Sequence, residues 1–168
     1  MTNKNSILRL RSGLMVSRVE PSKLKKGKIV AVSISKNKGV KKDNVNSAKL
    51  KEGFGIIGDA HAGTELRQIS LLAEESIDKM RQKGLKVKAG DFAENITTQG
   101  LDLLSLKLGD KLKIGTDAIL EISQIGKVCH NRCNIYYQAG DCVMPREGIF
   151  ARVLKSGTVK PQDKVEVI

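Results

Sequence analysis

Short alternating segments separated by glycine are the feature that most constrains the fold of this chain. The segment "KIVAVSIS" (28–35) alternates with a period of two and is rich in β-branched residues, as is typical of a half-buried strand. Similar segments follow at "DFAENITT", "KLKIG", "AILEISQIG", "GIFARVL" and "KVEVI". Many short strands with frequent turns predict a mainly β fold, a closed or partly closed β-barrel with a few decorating helices.

Two ten-residue segments strengthen the prediction of a closed sheet. "LKLGDKLKIG" (106–115) and "VKPQDKVEVI" (159–168) share Lys, Asp and Lys at matching positions, with apolar residues in step. Each predicts a tight turn that leads into an alternating strand. One clear helix is predicted over "AEESIDKMRQKG" (73–84), which opens with acids, closes with basic residues and has Gly84 where a C-cap glycine belongs. A short helix is predicted within "LDLLSLKLG" (101–109).

Length and cysteine content indicate one domain in a reducing compartment. A chain of 168 residues buries roughly 70% of its unfolded surface without metals or disulfides. The three cysteines cannot all pair, and "MTNKNSILRLRSG" lacks the apolar core of a secretory signal. No stretch approaches the ~18 consecutive apolar residues that span a bilayer. We therefore expect reduced thiols, a cytoplasmic location and no membrane partner.

The net charge of +12 is concentrated at the start of the chain. Residues 1–51 contain 14 Lys and Arg against 2 acids, whereas residues 52–168 contain 16 of each. These counts predict a basic, partly flexible arm over residues 1–27, followed by a single domain over residues 28–168. Such an arm can bind an anion, such as a phosphate-bearing cofactor or RNA, or it can be a solvated lysine-rich edge. With three Phe, two Tyr and no Trp, few side chains can stack on bases, so we expect no nucleic-acid partner.

All three cysteines and one of the two histidines lie in "KVCHNRCNIYYQAGDC" (127–142). Cys129, Cys133, Cys142 and His130 could together supply four zinc ligands, although structural zinc sites usually use two closely spaced cysteine pairs. Cys142 precedes apolar residues and is interpreted as a small buried hydrophobe. Cys133 is interpreted as a free thiol, because its basic neighbours favour the thiolate and it follows a predicted strand. A thiolate serves as a nucleophile, a sulfur carrier or a soft-metal ligand.

An ordered set of motifs resembles the MOSC domain family, which is named for the C-terminal part of molybdenum cofactor sulfurases. The set comprises "GDAHAG" and "RQISLL" (58–72), "GDFAENITTQGLDLLSLKLGDKLKIG" (90–115), the cysteine segment and "GIFARVLKSGTVKPQDKVEVI" (148–168). The similarity runs from about Lys28 to Ile168 and points to the stand-alone bacterial type. It implies a small β-barrel of the pyruvate-kinase type with a cysteine at its working site.

The resemblance implies a protein that binds molybdenum cofactor (molybdopterin), or that carries sulfur as a cysteine persulfide in the maturation of this cofactor or of metal–sulfur clusters. The family's Arg-Cys step falls on Arg132 and Cys133, so Cys133 is the first candidate for the working thiol and for a molybdenum ligand. Cys129, which follows Lys127, is the second. Part of the family works beside a pyridoxal-phosphate desulfurase domain. No bound pyridoxal phosphate is expected within this chain, so a separate cysteine desulfurase or other molybdenum cofactor biosynthesis proteins are the expected partners.

The same resemblance implies which residues surround the cofactor. Its phosphate requires backbone N–H groups and cations, which the glycine-bounded loop 58–63 and basic side chains could supply. An Asx-type turn and a capped turn are the structural alternatives for loop 58–63 and for the family's "EN" step at 94–95. Gln162 stands where the family pattern generally has glycine, a departure that concerns turn geometry. The candidate cofactor-binding residues are Asp59, His61, Arg67, Asn95, Lys127, His130, Arg132 and Arg146.

Two alternative functions stay open at this level. One is molybdenum-dependent reduction of N-hydroxylated compounds, although the sequence shows no flavin or iron–sulfur signature for an electron donor. The other belongs to a different class, a basic RNA- or protein-binding module whose cysteines are only structural.

Overall fold

The computed structural model describes residues 25–63 and 65–168. The described strands are β1 (Lys26–Ile34), β2 (Asp43–Val45), β3 (Ala48–Lys51), β4 (Gly55–Ile56), β5 (Ile69–Ala73), β6 (Ile96–Gln99), β7 (Lys111–Ile114), β8 (Ala118–Ile125), β9 (Ile149–Lys155), β10 (Gly157–Val159) and β11 (Lys164–Val167). The described helices are α1 (Glu74–Gln82), α2 (Asn134–Ala139) and α3 (Met144–Glu147), with a 3₁₀ turn over Leu103–Ser105. The arm predicted over residues 1–27 lies outside the described residues, apart from its last three positions.

Seven strands close into a barrel in the order β11-β7-β8-β9-β5-β6-β1. Closure comes from the antiparallel pairing of β1 with β11, in which Lys28 lies opposite Lys164. β5 and β6 run parallel, and the other described barrel pairs are antiparallel. β2 extends the sheet at β1, while β10, β3 and β4 form a separate small sheet. The predicted mainly β, barrel-like fold is therefore confirmed.

The two similar ten-residue segments are neighbours in this barrel, because β7 and β11 pair with each other. In the turn before each strand, an aspartate accepts a hydrogen bond from the backbone N–H three residues earlier. Asp110 accepts from Lys107 at 2.8 Å, and Asp163 accepts from Lys160 at 2.9 Å. Each segment is thus a tight turn that leads into a strand, as its sequence predicts.

Alternation along β5 divides its side chains between two apolar clusters. Ile69 and Leu71 belong to the barrel core. Leu72 lies on the outer face, in a second cluster that includes Ile77 and Met80 of α1. Because α1 covers the outer face, all five residues of β5 are buried, which explains their continuous apolar run.

The one clear helix predicted from the sequence is confirmed as α1. Gly84 follows it with a φ of +89°, and its N–H donates to the carbonyl of Arg81 at 2.9 Å, so the glycine ends the helix. α2 and α3 were not predicted, because six and four residues are too few to show a helical repeat of apolar side chains. Within the described ranges, each helix is too short and too polar to cross a membrane.

Candidate functional site

A buried ion pair lies at the centre of the candidate site. The Lys42 ammonium is 2.6 Å from Oδ1 of Asp59, and neither side chain has any exposed surface. The same nitrogen lies 3.1 Å from Nδ1 of His61 and 3.3 Å from Oγ of Ser35. The three protons of the ammonium therefore have three acceptors. Asp59 and His61 are predicted site residues, whereas Lys42 is a residue that the sequence analysis missed.

Asp59 is held by backbone N–H groups on both carboxylate oxygens. Oδ1 accepts from Ser35 and Oδ2 accepts from His61, each at 3.0 Å. The second bond forms the Asx-type turn that the sequence suggests for this loop. Burial alone would raise the pKa of Asp59, but the hydrogen bond from Lys42 and those from the backbone lower it below its ordinary value of 3.8. Asp59 is thus a carboxylate at neutral pH.

Lys42 reaches this position because its backbone is fixed to the loop before β6. Its N–H donates to the carbonyl of Gly90 at 2.8 Å, and the N–H of Gly90 donates to Oε1 of Glu94 at 2.6 Å. Glu94 is fully buried, and burial raises its pKa although hydrogen bonds to its carboxylate act in the opposite direction. Gly90 has a φ of +95°, and a Cβ there would clash with the carbonyl oxygen of Lys42. This position therefore requires glycine.

His61 lies in a positive electrostatic environment. Burial lowers its pKa below the ordinary 6.5, and the charge of Lys42 lowers it further. Asp59 acts in the opposite direction, and Lys38 and Lys127 add to the lowering. The imidazole is therefore neutral at pH 7. Its side chain is 36% exposed, so part of the ring is accessible to a ligand.

Lys127 connects this environment to the cysteine segment. Its charge acts on His61, and its N–H donates to the carbonyl of Pro145 at 3.1 Å. The preceding Gly126 donates to the carbonyl of Gly148 at 2.7 Å. These two bonds fix the start of the segment to α3 and to Gly148, the residue that precedes β9.

The three cysteines differ in exposure, and all three are free thiols. Cys129 and Cys133 are exposed, whereas Cys142 is buried in the outer apolar cluster beside Val143. Burial raises the pKa of Cys142, which confirms its interpretation as a small buried hydrophobe.

Three further predicted residues lie on the surface. The Arg132 guanidinium stacks on the ring of Tyr136, with its carbon 4.3 Å from the ring centroid. The guanidinium carbon of Arg67 lies 5.7 Å from the ring centroid of Phe150. His130 is exposed. All three side chains are accessible, and their contact with a cofactor stays a prediction.

The other two predicted residues already have protein partners. Arg146 pairs with Asp141 at 2.8 Å, and this hydrogen bond holds the pKa of Asp141 well below its ordinary value. Asn95 is buried and donates through its amide to the Ser33 carbonyl at 3.1 Å, while its side-chain oxygen accepts from Ser70. Asn95 therefore joins β1 to β5 across the start of β6. A cofactor contact of either residue stays a prediction.

No group of three or more His, Cys, Asp or Glu within residues 25–63 and 65–168 is placed to hold a metal ion. The four-ligand zinc alternative therefore has no structural support. A shallow cleft of about 470 Å³ is formed by Lys41 and residues of the segment 81–91. It contains none of the predicted site residues.

Comparison with known proteins places these features in a family. A family model described as the MOSC domain matches residues 58–166. No curated protein matches the chain.

Among solved structures, the YuaD protein from Bacillus subtilis is 21% identical, with 84% of this chain and 95% of that chain covered and a TM-score of 0.71. YiiM from Geobacillus stearothermophilus is 22% identical, with 84% and 75% covered and a TM-score of 0.63. YiiM from Escherichia coli is 19% identical, with 85% and 69% covered and a TM-score of 0.61. The structural likeness shows a shared fold. Since the family model spans more than half of the sequence, this chain belongs to the MOSC domain family.

Proposed function

We propose that this protein binds molybdenum cofactor or carries sulfur as a persulfide, with Cys133 as the first working thiol and Cys129 as the second. The observation that carries the proposal is that both thiols are exposed in a MOSC-family chain whose third cysteine is buried. A carrier thiol must meet a donor and an acceptor in turn, and a metal-binding thiolate must meet its cofactor. Cys142 meets neither requirement.

The exposed thiols and the basic side chains near His61 have the chemistry that a molybdopterin group requires, which supports the proposal. Cys133 or Cys129 would supply one soft thiolate ligand, and Lys127 and His61 would hold the phosphate together with nearby backbone N–H groups. A single protein thiolate agrees with the described residues, which contain no closed ligand set for a bare ion. When bound, the cofactor would supply the redox and sulfur-accepting chemistry of a dithiolene-bound molybdenum.

In the sulfur-carrying role, the Cys133 thiolate attacks the outer sulfur of a persulfide on a separate cysteine desulfurase. An S–S bond forms to that sulfur, the donor's S–S bond breaks, and the donor cysteine leaves as a thiolate. The exchange needs no external oxidant, because one S–S bond replaces another. Delivery repeats the chemistry: the acceptor's nucleophile attacks the outer sulfur, and Cys133 leaves as a thiolate.

The test is to purify the full chain from a host supplied with molybdate. Molybdenum is measured by elemental analysis, and persulfide is measured by alkylation and mass spectrometry. We expect one of the two in the wild type, its loss in the Cys133→Ser/Cys129→Ser double variant, and its retention in Cys142→Ala, the matched control.

Absence of both molybdenum and persulfide from the wild type would overturn the proposal, as would equal amounts in the double variant. RNA binding that weakens steeply with salt and does not depend on the thiols would favour the basic binding module instead.

A further inference from the structure

We propose that His61 is the hydrogen-bond donor of a subsite for a small oxyanion, and that Lys42 holds its imidazole in the neutral form with the proton on Nε2. Lys42 is then a positioning residue, since it is buried and acts on the ligand only through His61. This inference deepens the proposed function. It rests on that function only in one respect, the identity of the larger molecule to which the oxyanion belongs.

The tautomer follows from the contacts of Lys42. An ammonium has three donors and no lone pair, so a contact of 3.1 Å with Nδ1 of His61 is a hydrogen bond only if Nδ1 accepts. The single proton of the neutral ring is then on Nε2. The other two donors of Lys42 face Asp59 Oδ1 at 2.6 Å and Ser35 Oγ at 3.3 Å. Ser35 gives its own proton to the carbonyl of Asn37 at 2.9 Å, so the network has one consistent arrangement of protons.

The other forms of the ring do not fit this environment. A proton on Nδ1 would point at the Lys42 ammonium. The nearest carboxylate oxygen, Oδ2 of Asp59, lies 3.8 Å from Nδ1, beyond hydrogen-bond range, and it already accepts from the backbone N–H of His61. The same geometry argues against metal ligation by His61, because Nδ1 is occupied and Nε2 carries the proton. The ring nitrogen that does not face Lys42 therefore suits a hydrogen-bond acceptor.

The surrounding charges select a negative acceptor. The groups whose charges act on His61 are Lys42, Lys38 and Lys127, which are positive, and Asp59, which is negative. The charge of Asp59 is compensated by its pairing with Lys42 at 2.6 Å. Of the charges that act on the ring, those of Lys38 and Lys127 remain. Both favour an anionic acceptor over a neutral one at the Nε2 proton, so an oxyanion is the ligand class that we infer.

The first experiment is nuclear magnetic resonance of the full chain labelled with ¹⁵N-histidine. The chain has two histidines, so His130→Gln assigns both signals. At pH 7 we expect His61 as the neutral Nε2–H tautomer, with a titration midpoint below the ordinary histidine value of 6.5. In Lys42→Met we expect a mixture of tautomers and a raised midpoint. An imidazolium or an Nδ1–H tautomer of His61 in the wild type would overturn the proposal, whatever the stability of Lys42→Met.

The second experiment measures binding of sulfate, which stays a dianion across this pH range, at an ionic strength held constant with sodium chloride. His61→Phe should weaken sulfate binding about tenfold or more, the loss expected for one hydrogen bond to a charged group. Lys127→Ala should weaken it and Lys160→Ala, a surface control, should not. Unchanged binding in His61→Phe contradicts the assignment.

Two further binding measurements show whether the oxyanion belongs to a larger ligand and whether the subsite depends on the thiols. Phenyl phosphate that binds more tightly than inorganic phosphate indicates an oxyanion carried on a larger ligand, whereas equal binding indicates a free anion. The Cys133→Ser/Cys129→Ser variant should keep sulfate binding. Failure of the thiol chemistry therefore leaves the His61 result standing, and failure at His61 leaves the thiol chemistry standing.

Discussion

Replacing Lys42 with methionine should cost this fold several kcal/mol, because it removes one partner of an ion pair from which water is excluded. Removal of one partner from a buried pair costs roughly 3–5 kcal/mol, since the remaining charge stays buried. Asp59 keeps backbone donors from Ser35 and His61 at 3.0 Å. These donors place the expected loss near the lower end, at about 3 kcal/mol. For a domain of this size, that loss lowers Tm by about 6–12 °C.

The assay is urea and thermal unfolding followed by circular dichroism. Lys41→Met is the matched control, because it removes the neighbouring lysine, whose side chain is exposed, and it should change stability by no more than about 0.5 kcal/mol. A double-mutant cycle with Asp59→Asn should show a coupling energy of about 1 kcal/mol or more. If Lys42→Met is as stable as Lys41→Met, the reasoning from burial is refuted.

The same pair predicts a dependence on pH. The pKa of Asp59 in the folded protein lies below its ordinary 3.8, so the pair stabilises the fold above that value. The contribution is lost as pH falls through the folded pKa. In Lys42→Met, burial without a cation raises the pKa of Asp59 in the folded protein. This variant therefore loses stability as pH rises from 3.8, the ordinary pKa of the aspartate, to the raised value. The stability gap between wild type and variant should widen from pH 4 to pH 7, and a constant gap would contradict this account.

Three further predictions concern glycine positions and thiols. Gly90→Ala should cost about 2 kcal/mol or more in urea unfolding, because the new Cβ meets a backbone oxygen at a φ of +95°. Gly84→Ala, at a φ of +89° with open space around it, should cost only about 1 kcal/mol, and equal costs would refute the clash. Gln162→Gly should stabilise the fold by up to about 1 kcal/mol, because Gln162 has a φ of +75°; a loss of stability would show that its turn is unstrained. Cys133 should react with iodoacetamide in the folded protein while Cys142, which is 8% exposed, stays unmodified; mass spectrometry showing equal rates would contradict this difference in burial.

Local patterns in the sequence were sufficient to predict the longer strands, which have enough residues to show an alternation. β1, β8 and β9 have nine, eight and seven residues, and their alternation or apolar content is visible directly. β2 and β4 have three and two residues, which no periodicity can reveal. α3 (Met144–Glu147) is a single helical turn that its sequence does not distinguish from a loop, because Pro145 and the following Gly148 suit both conformations.

Gln162 shows how a departure from a pattern can report backbone geometry. In the matching ten-residue segments, Gly109 has a φ of +87° and the equivalent Gln162 has a φ of +75°. Both turns therefore use a left-handed residue, and only one of them has the residue type that adopts it without strain. The sequence identified this position correctly as one of turn geometry.

Lys42 could not be found from the sequence, because the signal that distinguishes it is not local. "KGVKKDN" (38–44) has the composition of a solvated charged loop, and Lys41 and Lys42 are adjacent and chemically identical. Lys41 is exposed and Lys42 is buried because Lys42 is fixed to Gly90, far along the chain. The available hint was Asp59, a carboxylate within an apolar, glycine-bounded loop, which needs a cation if it is buried.

The candidate site has a buried part, the Lys42–Asp59 pair that orients His61, and an exposed part, the Cys133 thiol that reacts. Substitutions in one part should leave the properties of the other unchanged. The Lys42–Asp59 pair has no exposed surface, so a ligand can sense it only through His61. Cys133 is exposed, so a second molecule can reach its sulfur without opening the barrel. Lys42→Met should therefore lower Tm and change the protonation of His61 while the alkylation rate of Cys133, measured well below Tm, stays the same. The Cys133→Ser/Cys129→Ser double variant should abolish the chemistry of the exposed thiols without changing Tm. If Lys42→Met slows or accelerates Cys133 alkylation strongly in the folded state, the two parts form one coupled unit and their separation is wrong.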